Sequence, residues 1–266
     1  PGIHQKITIQ VSTKKNILGY CKLTKNPIVF DLIIQEKKTT DYLASKNISN
    51  IPKCLYLGKI QNNLLYIQST KKAYSSRVIN KMTNEHLLFL KEIYEKTKVR
   101  CKYEDSDYYV TIKKFKKYLE EIDILRRIND KDGVLLRVQK YVSNLEFFSF
   151  YHSDFTPWNS FFNNKEIFVF DFEYSKQLYP PFLDFFHFLI QTKIFEKKYN
   201  SKQIVDFIFY KFKSELLMFS NPSISLLCYL IDCLVLYLDK GYSLLSITDK
   251  KLLNYWIEMI NYISIQ

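Results

Sequence analysis

The sequence has little glycine, and it has no apolar run that is long enough to cross a membrane. Only 5 of its 266 residues are glycine, and many nucleotide sites use glycine-rich loops to hold phosphates. The longest apolar run, residues 224–238, is interrupted by Asp232, which predicts a buried helix and not a membrane span. Any nucleotide site in this chain must therefore be recognised from other residues.

The five cysteines form neither a CxxC pair nor a spacing typical of metal sites. They lie among apolar neighbours, which is typical of reduced thiols in a protein core: Cys21, Cys54, Cys101, Cys228 and Cys233. No signal peptide is visible, so we expect a cytoplasmic protein. The chain begins Pro1-Gly2 and not with methionine, and we expect an N-terminal piece to be missing.

The composition indicates a folded protein with a strongly basic surface. Hydrophobic residues make up 47% of the chain and aromatic residues 17%, which allows a substantial core. A formal net charge of +12 fits nucleic acid, an anionic membrane surface, a polyphosphate ligand or only a solvated lysine-rich face. Basic residues are spread along the chain without a known nucleic-acid module, so no nucleic-acid partner is expected.

The first part of the chain has the pattern of a small sheet with one helix. Residues 6–12 alternate apolar and polar side chains, and residues 17–23 follow a polar turn, which predicts a β-hairpin. Residues 27–45 have helical spacing, and residues 54–60 and 64–68 read as two further strands.

The pattern becomes mainly helical after Ser69. The predicted elements are helices at 84–98, 108–128 and 134–150, a strand pair at 160–162 and 167–170, and further helices from Pro181 onward. This order predicts an α+β fold with two lobes. The predicted domains are a small sheet-containing lobe, residues 1–69, and a mainly helical lobe, residues 70–266.

The residues that carry chemistry lie between 152 and 173. His152, Asp154 and Asn159 belong to one segment that Pro157 keeps from being helical, and an apolar strand then ends at Asp171. Phosphoryl transfer needs one carboxylate to orient or deprotonate the attacking hydroxyl. It also needs hard oxygen ligands for Mg²⁺, which an amide and a second carboxylate can supply.

This segment resembles the catalytic and metal-binding motifs of the aminoglycoside phosphotransferase and choline kinase family, part of the protein-kinase-like superfamily. The HxDxxxxN pattern is complete as His152, Asp154 and Asn159. The resemblance implies that Asp154 is the catalytic base, that Asn159 and Asp171 bind Mg²⁺, and that ATP is the phosphate donor. His152 is expected to pack and hydrogen-bond within the loop.

The acidic Glu173 favours a small-molecule acceptor. It ends the triplet Asp171-Phe172-Glu173, where a protein kinase has glycine. The loop also lacks the Arg-Asp-Leu-Lys sequence of a protein kinase. A protein kinase is therefore less favoured than a small-molecule kinase. Glu173 itself is a weak candidate for contact with metal or substrate.

A kinase also needs a lysine on a strand for the phosphates and a glutamate on the next helix to fix that lysine. Lys22 and Glu36 have the required order and element types. Lys25 is a rival for the lysine, and Asp31 is the one close acidic rival of Glu36 within the helix. No glycine-rich loop precedes Lys22; residues 1–5 occupy that place. Either the sequence is clipped there, or the protein covers ATP by other means.

The resemblance places the adenine site where the two lobes join. Tyr66, Ile67 and Gln68 are expected to supply an apolar wall and backbone hydrogen bonds. It also suggests that Asp184 braces the catalytic loop. A basic helical surface is expected to be a solvated face, with an anionic acceptor or membrane lipid as the alternative: Lys113, Lys114, Lys116, Lys117, Arg126 and Arg127.

The predicted function is transfer of the γ-phosphate of ATP to a hydroxyl of a small molecule. A sugar or a polysaccharide or glycolipid unit is favoured as acceptor, which leaves peripheral contact with a membrane or anionic glycolipid open. Aminoglycosides and choline-like amino alcohols are the alternative acceptors. The alternative outside catalysis is a pseudokinase, a module that binds nucleotide without transferring phosphate.

Overall fold

A computed structural model describes residues 6–196 and 199–265. The strands are β1 (Ile7–Ser12), β2 (Ile17–Thr24), β3 (Cys54–Ile60), β4 (Asn63–Ser69), β5 (Val99–Arg100), β6 (Phe147–Tyr151), β7 (Ser160–Asn163), β8 (Glu166–Val169) and β9 (Lys176–Tyr179). The α-helices are α1 (Pro27–Ser45), α2 (Asn84–Thr97), α3 (Asp107–Glu121), α4 (Lys131–Ser143), α5 (Leu183–Glu196), α6 (Ser201–Lys211), α7 (Pro222–Leu238) and α8 (Ile247–Ile265).

The first four strands form an antiparallel sheet in the order β1-β2-β4-β3. Thr8 on β1 lies opposite Lys22 on β2, and Lys22 in turn lies opposite Tyr66 on β4. Tyr20 and Gln68 form the next pair of this kind. Because directly opposed residues share a face and side chains alternate along a strand, these residues point to one side of the sheet.

Helix α1 packs an apolar stripe against this face of the sheet. The helix begins after Asn26, whose side chain accepts a hydrogen bond from the Ile28 N–H. Val29 and Ile33 are buried together with Tyr66. Glu36 follows on the same stripe and is also fully buried, so its carboxylate needs a partner inside the protein.

The elements predicted for residues 6–69 are confirmed, and so is the α+β fold class. The hairpin pairs β1 with β2, and α1 has the predicted bounds. The strand pair β7–β8 is also present. The apolar run at 224–238 lies within the buried helix α7. Of the helices in the described part of the chain, none is long and apolar enough to span a membrane.

The helix predicted at 134–150 is wrong in its second half. Helix α4 ends at Ser143, and Phe147–Tyr151 forms strand β6. Aromatic residues favour strands, but four of these five positions are buried, so the alternation that marks a strand is missing. The helix predicted at 108–128 likewise ends at Glu121, and a 3-10 turn, Asp123–Arg127, follows it.

The chain divides into two compact units, each discontinuous in sequence. The first contains the described residues up to Thr97 together with His152–Lys176, and the second contains Lys98–Tyr151 together with the described residues from Gln177 onward. The predicted boundary at Ser69 stays a prediction. Residues 1–5, predicted to lie at the nucleotide-loop position, are outside the described residues.

The second unit is mainly helical and has a core rich in aromatic residues. Phe186 stacks on Phe219 with ring centroids 4.7 Å apart. The Tyr108 hydroxyl donates to the backbone carbonyl of Cys228, joining α3 to α7. The strands β5, β6 and β9 form a small sheet in this order, which the sequence did not predict. All five cysteines are free thiols, but the predicted core position holds only for Cys228 and Cys233, because the other three are half-buried.

Candidate active site

The centre of the candidate site is the buried ammonium group of Lys22. Its Nζ lies 2.7 and 2.6 Å from the two carboxylate oxygens of Glu36, and 2.6 Å from Oδ1 of Asp171. Lys22 is 3% exposed and Glu36 0%. The pair expected from the sequence is therefore present, and it is joined to the predicted metal ligand. Lys25 and Asp31, the rivals of this pair, are exposed.

Electrostatic interactions within this cluster keep its lysine and its aspartate charged. Burial opposes the charged form of Lys22, but Glu36 and Asp171 outweigh burial and raise the pKa of Lys22 well above its ordinary value. Burial would raise the pKa of the Asp171 carboxyl, but Lys22 and Lys6 hold it well below its usual range. Lys22 and Asp171 thus form an ionised pair within the cluster.

The backbone at Asp171 has an uncommon conformation. Its φ is +66°, in the left-handed region that non-glycine residues rarely adopt. Ser153, next to the predicted base, has a φ of +70°. Such strained residues cluster at functional sites, where the surrounding structure must hold them. Here the Phe170 N–H donates to the Asn159 carbonyl, which fixes the chain just before Asp171.

Asp154 and Asn159 form the second part of the site. The Asn159 amide nitrogen donates to the Asp154 carboxylate at 2.7 Å and to the Asp154 carbonyl at 2.9 Å. Pro157 begins the short 3-10 turn, Pro157–Asn159, that brings the amide back toward Asp154. These two contacts orient the amide group, whose oxygen is a ligand of the kind that Mg²⁺ binds.

His152 supports this loop, as the sequence analysis expects. Its Nε2 lies 3.1 Å from the carbonyl of Phe170, and its Nδ1 accepts from the Asp154 N–H at 3.3 Å. The ring also packs on Phe172 with centroids 4.5 Å apart. One imidazole therefore ties the segment that carries Asp154 to the segment that carries Asp171.

Lys6 is the residue of this site that the sequence analysis missed. Its Nζ lies 3.2 Å from Asp171 Oδ1 and also forms an ion pair with Glu173. The hairpin sequence contains a pattern from which Lys6 could have been recognised. In the stretch from Lys6 to Gln10 the even-numbered residues are polar, and Thr8 lies opposite Lys22. Lys6 therefore points to the same side of the sheet as Lys22.

Three carboxylates of the site could together hold a metal ion. Oxygen atoms of Glu36, Asp171 and Glu173 all lie within 4.8 Å of one another. An all-oxygen set of this kind suits Mg²⁺. Lys6 and Lys22 bind the same carboxylates, so positive charge is already placed where a cation is expected.

A cavity within the first unit adjoins this cluster. Its volume is about 150 Å³. Three lysines, several polar groups and four apolar side chains line it: Lys6, Thr8, Tyr20, Lys22, Pro52, Gln68, Ser69, Thr70, Lys72, Phe161, Phe168, Phe170 and Asp171. The combination of apolar walls and positive charge suits a ligand with a flat ring and an anionic group.

Of the three residues on β4 that were predicted for the adenine site, only Gln68 lines the cavity. Gln68 lines the cavity, is 3% exposed and has a buried Oε1 without a hydrogen-bond partner among the described residues. Tyr66 instead packs with Val29 and Ile33 in the core, and neither it nor Ile67 is among the described residues that line the cavity. The cavity-facing segment continues to Ser69 and Thr70.

The basic helical surface predicted from the sequence belongs to the second unit. Lys114 forms an ion pair with Asp239 at 2.6 Å, and Arg126 forms one with Asp123 at 3.1 Å. Arg127 donates to the Asn254 side chain. These three basic residues thus have acidic or amide partners within the chain. This supports the interpretation of the surface as a solvated face.

No protein-family model and no curated protein sequence matches this chain. Among solved structures, it is similar to the GDP complex of a mutant aminoglycoside 2'-phosphotransferase-IIIa, with 14% identity, a TM-score of 0.58, and coverage of 97% of this chain and 91% of that one. The corresponding GDP and kanamycin complex gives a TM-score of 0.55 at 14% identity, covering 97% of this chain and 93% of the other.

A third similar structure comes from Haemophilus somnus 129PT, a protein assigned as a fructosamine-3-kinase. Its TM-score is 0.50 at 12% identity, with coverage of 96% of this chain and 91% of that one. These similarities define the class of fold: the chain has the fold of these phosphotransferase and kinase structures. More particularly, its structure is similar to aminoglycoside phosphotransferases over nearly its whole length.

Proposed function

We propose that this protein is an ATP-dependent phosphotransferase that moves the γ-phosphate to a hydroxyl group of a small molecule. The observation that carries the proposal is the buried Lys22 ammonium bound to both Glu36 and Asp171. Burying a carboxylate and an ammonium group removes both from water, which costs free energy of folding. A protein that keeps such a pair therefore invites a functional explanation. Phosphoryl transfer needs this lysine–glutamate pair next to a metal-binding aspartate.

In the proposed reaction Lys22 binds the α- and β-phosphates, and Glu36 keeps the ammonium in place. The contacts of Lys22 with both oxygens of Glu36 support this role, because they leave the side chain little freedom. Lys72 and Lys6 also line the cavity. Their charges favour a polyanionic ligand there.

Asp154 is proposed to act as the base. The acceptor oxygen forms a bond to the γ-phosphorus while the bond from that phosphorus to the β–γ bridging oxygen breaks, and the hydroxyl proton passes to Asp154. The contact from the Asn159 amide to the Asp154 carboxylate supports this assignment. This hydrogen bond holds the carboxylate in a fixed orientation.

Asp171 and Asn159 are proposed to hold Mg²⁺, with Glu173 near them. The oxygen donors fit this ion, and the group of Glu36, Asp171 and Glu173 already attracts ammonium groups. When bound, Mg²⁺ would neutralise charge on the transferred phosphate. The chain's own contribution is to hold Asp171 in its left-handed conformation, ionised and facing the cavity.

Replacing Asp171 by alanine is expected to weaken nucleotide binding only when Mg²⁺ is present. The variant removes a carboxylate that would bind the ion, so we expect a loss of at least about tenfold in affinity for ATP–Mg²⁺. Calorimetric titration in Mg²⁺ and in EDTA measures both cases. Equal ATP–Mg²⁺ affinity of mutant and parent would contradict the metal assignment.

ATP is proposed as the donor from the family resemblance, which leaves the choice between ATP and GTP open, and Gln68 offers a way to test that choice. Its buried amide lines the cavity and can accept from an amino group or donate to a carbonyl group. Adenine presents the first at its six-position and guanine the second. Because a similar enzyme was crystallised with GDP, ATP and GTP must both be measured as donors.

A sugar or a polysaccharide or glycolipid unit is the proposed acceptor. Aminoglycosides are the second candidate, because a structurally similar enzyme was solved with kanamycin. Consumption of ATP and of GTP measured against sugars, aminoglycosides and amino alcohols tests both proposals. We expect turnover with at least one sugar-like hydroxyl compound. Nucleotide binding without transfer to any class would favour a pseudokinase, and transfer to aminoglycosides alone would replace the sugar proposal.

A further inference from the structure

Lys6 binds the carboxylates on which the proposed metal site depends. Its Nζ lies 3.2 Å from Asp171 Oδ1 and contacts Glu173 Oε2, and the side chain is only 16% exposed. Lys22 binds the same oxygen of Asp171, at 2.6 Å. The ammonium of Lys6 thus occupies the region between Asp171 and Glu173.

Charge balance explains why a second lysine is bound there. Three carboxylates with oxygens within 4.8 Å of one another face two ammonium groups. Lys22 is held by both oxygens of Glu36, so Lys6 is the cation nearest to Glu173. Without Lys6 the cluster would carry two uncompensated negative charges, which is the charge that a divalent cation neutralises.

Lys6 also lies where a phosphate group would need a donor. It lines the cavity together with Lys22 and Lys72. From Lys6 to Leu18 the sequence has no glycine, so no glycine-rich loop occurs within that hairpin. A long lysine side chain directly before β1 could reach phosphate oxygens that loop backbone groups bind elsewhere.

We propose that Lys6 occupies the place of the divalent cation when nucleotide is absent, and turns to the nucleotide phosphates when the cation binds Asp171 and Glu173. This rests on the proposed function. It makes metal and nucleotide binding cooperative, because the cation releases the ammonium group that the phosphates then bind. The metal does not bind tightly alone, since Lys6 competes for the same carboxylates.

The test is a titration of the full chain with Mn²⁺ alone, followed by the spin-resonance signal of the free ion. Lys6→Met is expected to bind Mn²⁺ at least about tenfold more tightly than the parent, because a competing charge is gone. At saturating Mn²⁺ the same variant should bind ADP about tenfold more weakly than the parent, because the cation releases Lys6 to the phosphates only in the parent. Lys6→Arg keeps the charge and should restore weak Mn²⁺ binding.

Lys15→Met is the matched control, because Lys15 is exposed in the turn of the same hairpin. It should leave both affinities unchanged. Melting temperatures show that each variant is folded. Unchanged Mn²⁺ affinity in Lys6→Met would overturn the proposal, as would an equal gain in Lys15→Met. The Mn²⁺ measurement needs no nucleotide or turnover, so its outcome is separate from failure of the proposed kinase activity.

Discussion

Replacing Asp154 by asparagine is expected to reduce phosphoryl transfer on the order of 10³-fold, with ATP–Mg²⁺ binding little changed. A positioned base contributes about 10²- to 10⁴-fold to a rate. Asparagine has nearly the same shape and retains an oxygen that can accept the hydrogen bond from Asn159. The variant therefore removes the proton acceptor while it keeps the loop. Turnover and calorimetric ATP affinity are the measurements, and alanine at the same position should lose activity at least as severely.

The matched control is Asp31→Asn, which makes the same change at an exposed position on helix α1. It should leave both turnover and nucleotide affinity unaltered. Parent-like turnover in the Asp154 variant would remove the base assignment, because no positioned carboxylate would then be needed. Loss of ATP binding together with turnover would instead mean that Asp154 holds the loop and does not act as the base.

The residues of the candidate catalytic loop could be predicted because their chemistry is concentrated in sequence. Asp154 and Asn159 are five positions apart, and Pro157 excludes a helix between them. The structure adds the hydrogen bond from one to the other. Lys22 and Glu36 were also predictable, since a strand and the next helix place them 14 positions apart. A buried glutamate within an apolar helical stripe is itself a signal of a partner.

Lys6 could not be recognised in the same way, because nothing local distinguishes it from the other basic residues of a chain with 39 of them. Its partners are more than 160 positions away. Only the hairpin register and the left-handed turn at Asp171 bring them together. A local stretch of sequence indicates secondary-structure propensity and hydrophobic periodicity. Contacts between residues this far apart in sequence depend on tertiary packing.

Strand β6 could not be predicted for a different reason, because its local sequence does not distinguish a strand from a helix. Its residues, Phe147–Tyr151, follow directly after a helix and are almost all apolar. A run buried on both faces has neither the alternation of an exposed strand nor a polar helical face. Its pairing with β5, only two residues long, depends on contacts across more than 40 positions. Local pattern could not decide between helix and strand there.

Replacing Lys22 by methionine is expected to destabilise the protein and to weaken nucleotide binding. Glu36 would remain in a fully buried position without the ammonium group that binds both of its oxygens. Breaking a buried ion pair by removing one partner costs about 3–5 kcal/mol. Denaturant unfolding measures the free energy, and calorimetry measures ATP affinity. Lys25→Met, at an exposed position, should change stability by less than about 0.5 kcal/mol.

The loss in Lys22→Met should depend on pH in a defined direction. Burial raises the pKa of Glu36 even with Lys22 beside it, and without the lysine nothing as close opposes that shift. The folded variant then binds a proton that the unfolded chain releases above a pH of about 4.3. Its stability therefore falls as the pH rises, and the deficit relative to the parent should be larger at pH 8 than at pH 5.

A double variant, Lys22→Met with Glu36→Leu, separates the structural from the functional role of the pair. Replacing both members of a buried ion pair by apolar residues is often neutral or stabilising, so most of the lost stability should return. Nucleotide affinity should not return, because the ammonium group proposed to bind the phosphates is still absent. Recovery of both quantities would show that Lys22 only balances the charge of Glu36, and that the phosphates are bound by other residues of the cavity, such as Lys6 and Lys72.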